Sequence, residues 1–273
     1  MGSRRLATVD LDPVRTASDL AASQQFRYND SYAEFVSIGR LYSTMLWNQS
    51  GELDESSLGD YDGPAQQTPN GRALPYFSEV LGRLFRMDRL KYLRFMRIAP
   101  GTVYVPHRDF LELKTQMLRI HLPVQTDDMV FASEENTVFR MRLGELWQLD
   151  ASRTHCVGSF STADRIHLVC DFVADSLDQV LIDQVPDGQM PTENIVARAD
   201  LGADRLQALL GLAQILDQQT YPEVLSLLIK QHFLTDVSGD GVFTLLKQIA
   251  AIGGRPDVIA RVEKQEEYCM VRR

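Results

Sequence analysis

The alternation of apolar and polar positions changes its rhythm along the chain. From about residue 90 to 175, short apolar runs are separated by turn-forming residues: "YLRFMRIA", "TVYVPH", "MLRIHLPV", "MVFAS", "NTVFRM", "GELWQLD" and "RIHLVCDFV". Runs of this kind predict the strands of an all-β sandwich or barrel. "RMRLGELWQL" reads as two strands joined by a short turn around Gly144. After about residue 185 the period becomes helical. "DRLQALLGLAQILDQ" puts Leu206, Leu209, Leu210, Ala213 and Leu216 on one stripe. "YPEVLSLLIKQHF" predicts a second helix. "SGDGVFTLLKQIAAIGG" predicts a third, with Ser238 as cap, Val242, Leu245, Leu246 and Ile249 as apolar face, and Gly253 and Gly254 as stop. "RPDVIARVEKQEEY" predicts a fourth, with Pro256 in its first turn.

Two stretches fall outside these rhythms. Residues 54–74, rich in Gly, Pro, Ser and Asp, predict a long loop of the kind that often serves as a lid. Residues 185–194, "VPDGQMPTEN", predict a linker. The expected organisation is a β domain over 1–184, with helical and loop elements at its N-terminal end, followed by a helical domain over 185–273.

Composition narrows the function classes. The 273 residues are 44% hydrophobic and 24% charged, as in ordinary globular proteins. A net charge of −9 argues against a nucleic-acid partner. No apolar run is long enough for a transmembrane helix, and the N-terminal stretch lacks the apolar region of a secretory signal. Cys156, Cys170 and Cys269 are few and irregularly spaced, which suits a reducing cytoplasm and no disulfide framework.

The candidate chemistry lies in the β segment. In "VYVPHRDF", His107 and Asp109 are two apart, so on a strand they share a face. Two ionisable groups there are costly unless compensated, and a divalent metal would compensate them. An HxD pair alone is weak evidence, since it also arises by chance on surface strands. His155 closes "GELWQLDASRTH" at a strand edge and completes a set of two histidines and a carboxylate. Such a facial triad leaves metal positions open and suits non-haem Fe(II). Arg165, ten residues later on a returning strand, would need an anion if it points inward, and a carboxylate fits it bidentately. His167 shares that face of the strand. Arg94 and Arg97 are three apart, so only one of them can face inward. His232, on a C-terminal helix, reads as structural, and Cys156 as a small buried hydrophobe.

Taken together, "LWNQSGE" (46–52), "VPHRDFLEL" (105–113), "ENTVFRMRLGELWQLDASRTH" (135–155) and "DRIHLVCDF" (164–172) resemble the Fe(II)/2-oxoglutarate-dependent hydroxylases of free amino acids. The similarity is to the L-proline 3-hydroxylase and cis-4-hydroxylase group, related to the aspartyl/asparaginyl β-hydroxylases. The C-terminal "LSLLIKQHFLTDV" and "LLKQIAAIGG" are similar to the helical domain that ends those chains. The resemblance implies a double-stranded β-helix, a cupin-like jelly roll, with flanking helices and a C-terminal α-helical domain. It implies Fe(II) on His107, Asp109 and His155, with 2-oxoglutarate as cosubstrate held at its distal carboxylate by Arg165, and O₂ as oxidant. Arg119 and His121, in an R-x-H arrangement, would serve the cosubstrate or the substrate carboxylate, with His167 a further cosubstrate contact. Arg97 and Trp147 fall near the active-site mouth as substrate contacts, which leaves Arg94 as a surface charge. Trp147 reads equally as core. Asn48 is a further substrate candidate, although its residue type is commoner in turns.

The implied reaction is hydroxylation of an unactivated C–H bond of a free L-amino acid. The retained carboxylate ligand disfavours halogenation. There are departures from the proline enzymes. The segment between Phe110 and Arg119 is shorter, His167 replaces a small hydroxyl residue, and Ile120, Leu122 and Pro123 differ. The resemblance implies a cyclic amino acid, proline or pipecolic acid, and these departures point away from proline itself toward another, larger cyclic one such as pipecolic acid. Two alternatives stand beside this reading: the same chemistry on a peptide or carrier-bound side chain, and a non-catalytic cupin-like binding protein. The expected partner is a small amino acid, without membrane or nucleic acid, and a homodimer is compatible with the sequence.

Overall fold

In a computed structural model of the chain, the described residues are 2–271 except 29–35, 57, 112, 116 and 184–189. Two antiparallel sheets face each other. The larger has seven strands in the order β1 (Arg4–Thr8), β10 (Glu145–Leu149), β7 (Leu118–Gln125), β12 (Arg165–Phe172), β5 (Leu90–Ile98), β3 (Leu41–Asn48) and β4 (Gln66–Gln67). The smaller runs β2 (Ser37–Ile38), β6 (Val103–Tyr104), β11 (His155–Ser159), β8 (Val130–Glu134) and β9 (Thr137–Phe139). The expected jelly-roll architecture is therefore present.

The N-terminal ninety residues contribute more than helices and loops. They supply β1, β3 and β4 to the large sheet, together with helices α1 (Pro13–Ala22), α2 (Pro69–Arg72) and α3 (Pro75–Leu84). The predicted loop over 54–74 is shorter than expected, because β4 and α2 lie within it. Helix α3 has a legible apolar face of Tyr76, Phe77, Val80 and Leu81, all buried.

Helices cover the outer faces of both sheets. On the large sheet, Leu93 and Phe95 of β5, Ile120 and Leu122 of β7, and Leu168 and Cys170 of β12 pack outward with Phe77 and Leu81 of α3. On the small sheet, Phe131 and Val157 share a core with the C-terminal helices α4 (Ala203–Leu210), α5 (Tyr221–Leu234), α6 (Gly239–Ile252) and α7 (Pro256–Met270). The first of these was expected to run to about residue 217, but it ends at Gly211 and continues as a short 3₁₀ turn. Ser238 caps α6 as predicted, accepting from the Gly241 amide. His232 is structural as expected: its Nδ1 donates to the Val237 carbonyl and its Nε2 accepts from Ser133 of β8. The first half of the predicted linker, 185–189, lies outside the described residues, and 192–194 form a turn in which Asn194 is buried against Glu145. No helix among the described residues is long and apolar enough to cross a membrane.

Period-two alternation determines what lies between the sheets. Because both faces of β5, β7 and β12 are covered, each strand buries an inner row as well as an outer one. The inner rows carry Arg94 and Met96, Arg119 and His121, and Arg165, His167, Val169 and Asp171. A sandwich interior is ordinarily apolar, so a buried row of guanidiniums, imidazoles and a carboxylate marks this inner space as the site.

Candidate active site

His107 and His155 meet across the small sheet. They form a two-way backbone pair, His107 N–H to His155 O at 3.0 Å and His155 N–H to His107 O at 2.9 Å, and their rings lie 4.3 Å apart. Each ring is oriented by its own backbone: His107 Nδ1 is 2.8 Å from the Val105 carbonyl, and His155 Nδ1 is 3.0 Å from the Arg153 carbonyl. A carbonyl only accepts, so each Nδ1 carries the proton and each Nε2 presents a lone pair. Asp109 closes the triangle, with His107 Nε2 3.7 Å and His155 Nε2 3.4 Å from its carboxylate. One candidate ligand atom from each residue lies within 4.8 Å of the others. The chain turns immediately afterwards at Phe110, whose φ of 65° lies in the left-handed region.

This donor set fits a divalent transition metal, and its two imidazoles and one carboxylate suit Fe(II). Burial alone would raise the Asp109 carboxyl, but Arg119 and the two imidazoles hold it well below the usual carboxylate range. Arg119 is consumed by this task. Its Nη1 bonds Asp109, while Nε and Nη2 donate to Asp171 at 2.7 and 3.1 Å. Asp171, wholly buried, also accepts from Arg94 Nη2 at 2.9 Å. The result is a chain of charges, Arg94–Asp171–Arg119–Asp109, that ends on the metal triangle. Arg119 was expected on the cosubstrate or substrate; here it orients the carboxylate ligand. Asp171 was not anticipated, although its register of six residues from Arg165 on one strand was available as a signal.

Arg165 differs from the other inner arginines. It is 5% exposed, no carboxylate pairs with it among the described residues, and its Nε lacks a hydrogen-bond partner. Burial pushes its guanidinium down to about 10. It lines the same cavity as His107, Asp109 and His155. Three further buried polar atoms without partners belong to residues of that cavity: Arg94 Nε, Tyr104 Oη and His121 Nε2. Such orphaned polar atoms, most of them able to donate, beside an unpaired cation fit an anionic ligand. Met45, Met96, Met141 and Leu149 are among the cavity's apolar walls. Ser56 and Leu58, from the segment expected as a lid, reach it.

Other expected contacts lie elsewhere. Arg97 faces away from the cavity and pairs with Asp164, its Nε at 2.6 Å. Arg94, expected at the surface, is the arginine of this strand that lines the cavity. Trp147 is core: it stacks on Phe139 with centroids 5.1 Å apart, and its Nε1 donates to Glu145. Asn48 clamps a turn, donating to the carbonyls of Glu52 and Glu55 and accepting from the Gly51 amide. His121 lines the cavity, while His167 is buried beside it.

Residues 17–175 match the family model for aspartyl/asparaginyl β-hydroxylase, and residues 178–273 match that for the C-terminal part of L-proline 3-hydroxylase. An L-proline cis-4-hydroxylase of Rhizobium meliloti (strain 1021) is 29% identical, covering 98% of this chain and 95% of its own. An L-proline cis-3-hydroxylase of a Streptomyces species is 28% identical, covering 99% of this chain and 95% of its own. Among solved structures, a 2OG-Fe(II) oxygenase family protein of Burkholderia pseudomallei is similar at a TM-score of 0.40 and 13% identity, over 63% of this chain and 84% of that one. With more than half of its length under one family model, the chain belongs to the aspartyl/asparaginyl β-hydroxylase family.

Proposed function

We propose that the protein is an Fe(II)- and 2-oxoglutarate-dependent hydroxylase of a free L-amino acid, with proline and pipecolic acid as the leading substrates. The observation that carries this reading is the His107–Asp109–His155 triangle in the same cavity as the buried, unpaired Arg165. The bound iron and cosubstrate would supply the oxidation: O₂ is consumed, 2-oxoglutarate becomes succinate and CO₂, and one oxygen atom enters a C–H bond of the substrate.

The chain's own residues bind, orient and exclude water. His107, Asp109 and His155 would hold the metal, with the two Nδ1–carbonyl contacts fixing the imidazole tautomers. Arg119 fixes the orientation of Asp109. Arg165 would take the distal carboxylate of 2-oxoglutarate, which relieves its own lack of a partner. Arg94 lines the cavity, has an unpartnered Nε, and is our assignment for the substrate carboxylate, in place of Arg97. The methionine and leucine walls suit an apolar ring and keep the reacting carbon dry.

Coverage of the cavity by Ser56 and Leu58 favours a small free substrate over a peptide that would need an open groove. The complete ligand set, with Arg165, favours turnover over a passive binding role. The test is succinate release by Fe(II)-loaded protein given 2-oxoglutarate and O₂ across a panel of amino acids, with mass spectrometry for the added oxygen. Stimulation by proline or pipecolate that is lost in His107→Ala supports the reading. Bound iron without stimulation by any free amino acid redirects it to a tethered substrate, and failure to bind iron overturns it.

A further inference from the structure

His121 and His167 form a polar arrangement that neither the metal triangle nor Arg165 requires. They stand on the neighbouring strands β7 and β12, with Nδ1 atoms 3.3 Å apart and rings at 82°. Both are buried, and neither Nε2 has a hydrogen-bond partner. His121 lines the cavity; His167 does not, and it contacts His121. Burial first, and then the charge of Arg165, holds both imidazoles well below their ordinary value, so both rings are neutral at neutral pH.

A hydrogen bond between two neutral imidazole nitrogens couples their tautomers. One Nδ1 must carry the proton and the other must offer its lone pair. If His121 is the donor, its Nε2 is a bare lone pair, which repels an anion. If His167 is the donor, the His121 proton sits on Nε2, and that atom becomes a hydrogen-bond donor. An anion drawn to Arg165 therefore selects the second arrangement.

We propose that His167 is a positioning residue that sets His121 in its Nε2–H tautomer and thereby supplies a second donor, beside Arg165, for the carboxylate of an anionic keto acid. This rests on the reading that 2-oxoglutarate occupies the Arg165 end of the cavity. His167 itself touches no ligand and acts through the Nδ1 contact alone.

The test uses zinc-loaded protein, which is diamagnetic, with ¹⁵N-labelled histidine. Long-range ¹H–¹⁵N spectra with and without 2-oxoglutarate report the tautomers, and calorimetry reports affinity. Two variants separate the role from mere packing: His167→Asn keeps an N–H donor near the position of Nδ1, and His167→Leu removes it. In the wild-type complex, His121 should be protonated at Nε2 and bare at Nδ1. The Leu variant should bind 2-oxoglutarate about tenfold more weakly, the scale of one hydrogen bond to a charged acceptor, and the Asn variant should stay close to wild type. Unchanged zinc affinity in both variants reports an intact site. A His121 that is bare at Nε2 in the wild-type complex overturns the proposal, even if the Leu variant fails to fold. So does a zinc-binding Leu variant with wild-type affinity for 2-oxoglutarate. Wild-type protein that binds zinc but no 2-oxoglutarate overturns instead the functional reading beneath it, and this role with it.

Discussion

Replacing Arg165 by methionine should stabilise the ligand-free protein while abolishing its response to 2-oxoglutarate. Core truncations ordinarily destabilise, so the predicted sign is opposite to the default. Burial lowers the Arg165 guanidinium from its ordinary value to about 10, with no carboxylate paired to it among the described residues. At every pH below about 10 the folded state therefore bears the cost of a desolvated charge, about 3 kcal/mol. Methionine spans a similar length without the charge, and such replacements of buried ionic groups often stabilise. For a chain of this size about 1 kcal/mol shifts Tm by roughly 2–4 °C, so the variant should melt several degrees higher without ligand. The wild type should gain about 2.7 kcal/mol from 2-oxoglutarate at a hundred times its Kd, and the variant should gain nothing. Thermal melts of the zinc-loaded proteins, with and without 2-oxoglutarate, measure both effects. A variant that melts below wild type and is still stabilised by 2-oxoglutarate would refute the assignment of Arg165 as the anion's partner.

Three further predictions follow from the same geometry. Asp171→Asn leaves Arg94 and Arg119 without their shared carboxylate, so unfolding free energy should fall by about 3–5 kcal/mol and Fe(II) affinity by about 10–100-fold, read by urea denaturation and metal titration. Arg94→Ala should raise KM for the amino acid, whereas Arg97→Ala, which breaks a partly exposed pair with Asp164, should cost under about 1 kcal/mol and leave KM unchanged; the reverse pattern would restore Arg97 as the substrate contact. Burial lowers His232 from 6.5 to about 4, so the neutral ring is favoured in the fold; its stabilisation is complete above about 6.5 and is lost as pH falls toward 4, amounting to about 3 kcal/mol. His121 and His167 are also held low and lose stability over the same window in both proteins, so urea melts should show a loss about 3 kcal/mol smaller in His232→Phe than in wild type, even if the variant is less stable throughout.

The metal triangle was legible because its signal is short-range and chemically specific. His107 and Asp109 are set by a two-residue spacing, and His155 and Arg165 stand at the ends of well-marked strands. The C-terminal helices were legible because each buries one face only. The choice between Arg94 and Arg97 was not, because β5 is buried on both sides and "YLRFMRIA" has apolar residues in both of its rows. Parity separates the two arginines but does not say which row faces inward; packing of Leu93 and Phe95 against α3 decides it. The strands β1 and β3 were missed because they pair with β10 and β5, each far away in sequence. Trp147 misled for a related reason: it sits in the inner register of β10, but Phe139 covers it before any ligand could reach it.

The charge inventory of the cavity argues for the class of substrate independently of any relative. Among the described residues, the inner-row carboxylates paired with Arg94 and Arg119 are Asp109 and Asp171, Arg165 has none, and both non-ligand imidazoles are held neutral, so these inner rows carry one excess positive charge. A ferrous ion adds two positive charges and 2-oxoglutarate removes two. One positive charge still remains, in a buried space where an uncompensated charge is costly. A free amino acid is a zwitterion and leaves that net charge unchanged, so its carboxylate belongs at Arg94, which has an unpartnered Nε, and its ammonium away from the arginines, while a substrate of net positive charge would add to the excess. No carboxylate other than the metal ligand lines the cavity among the described residues, so a cationic side chain finds no partner there. Lysine and arginine should therefore fail as substrates, while an apolar ring that carries its acid at one end meets both the arginine and the methionine walls.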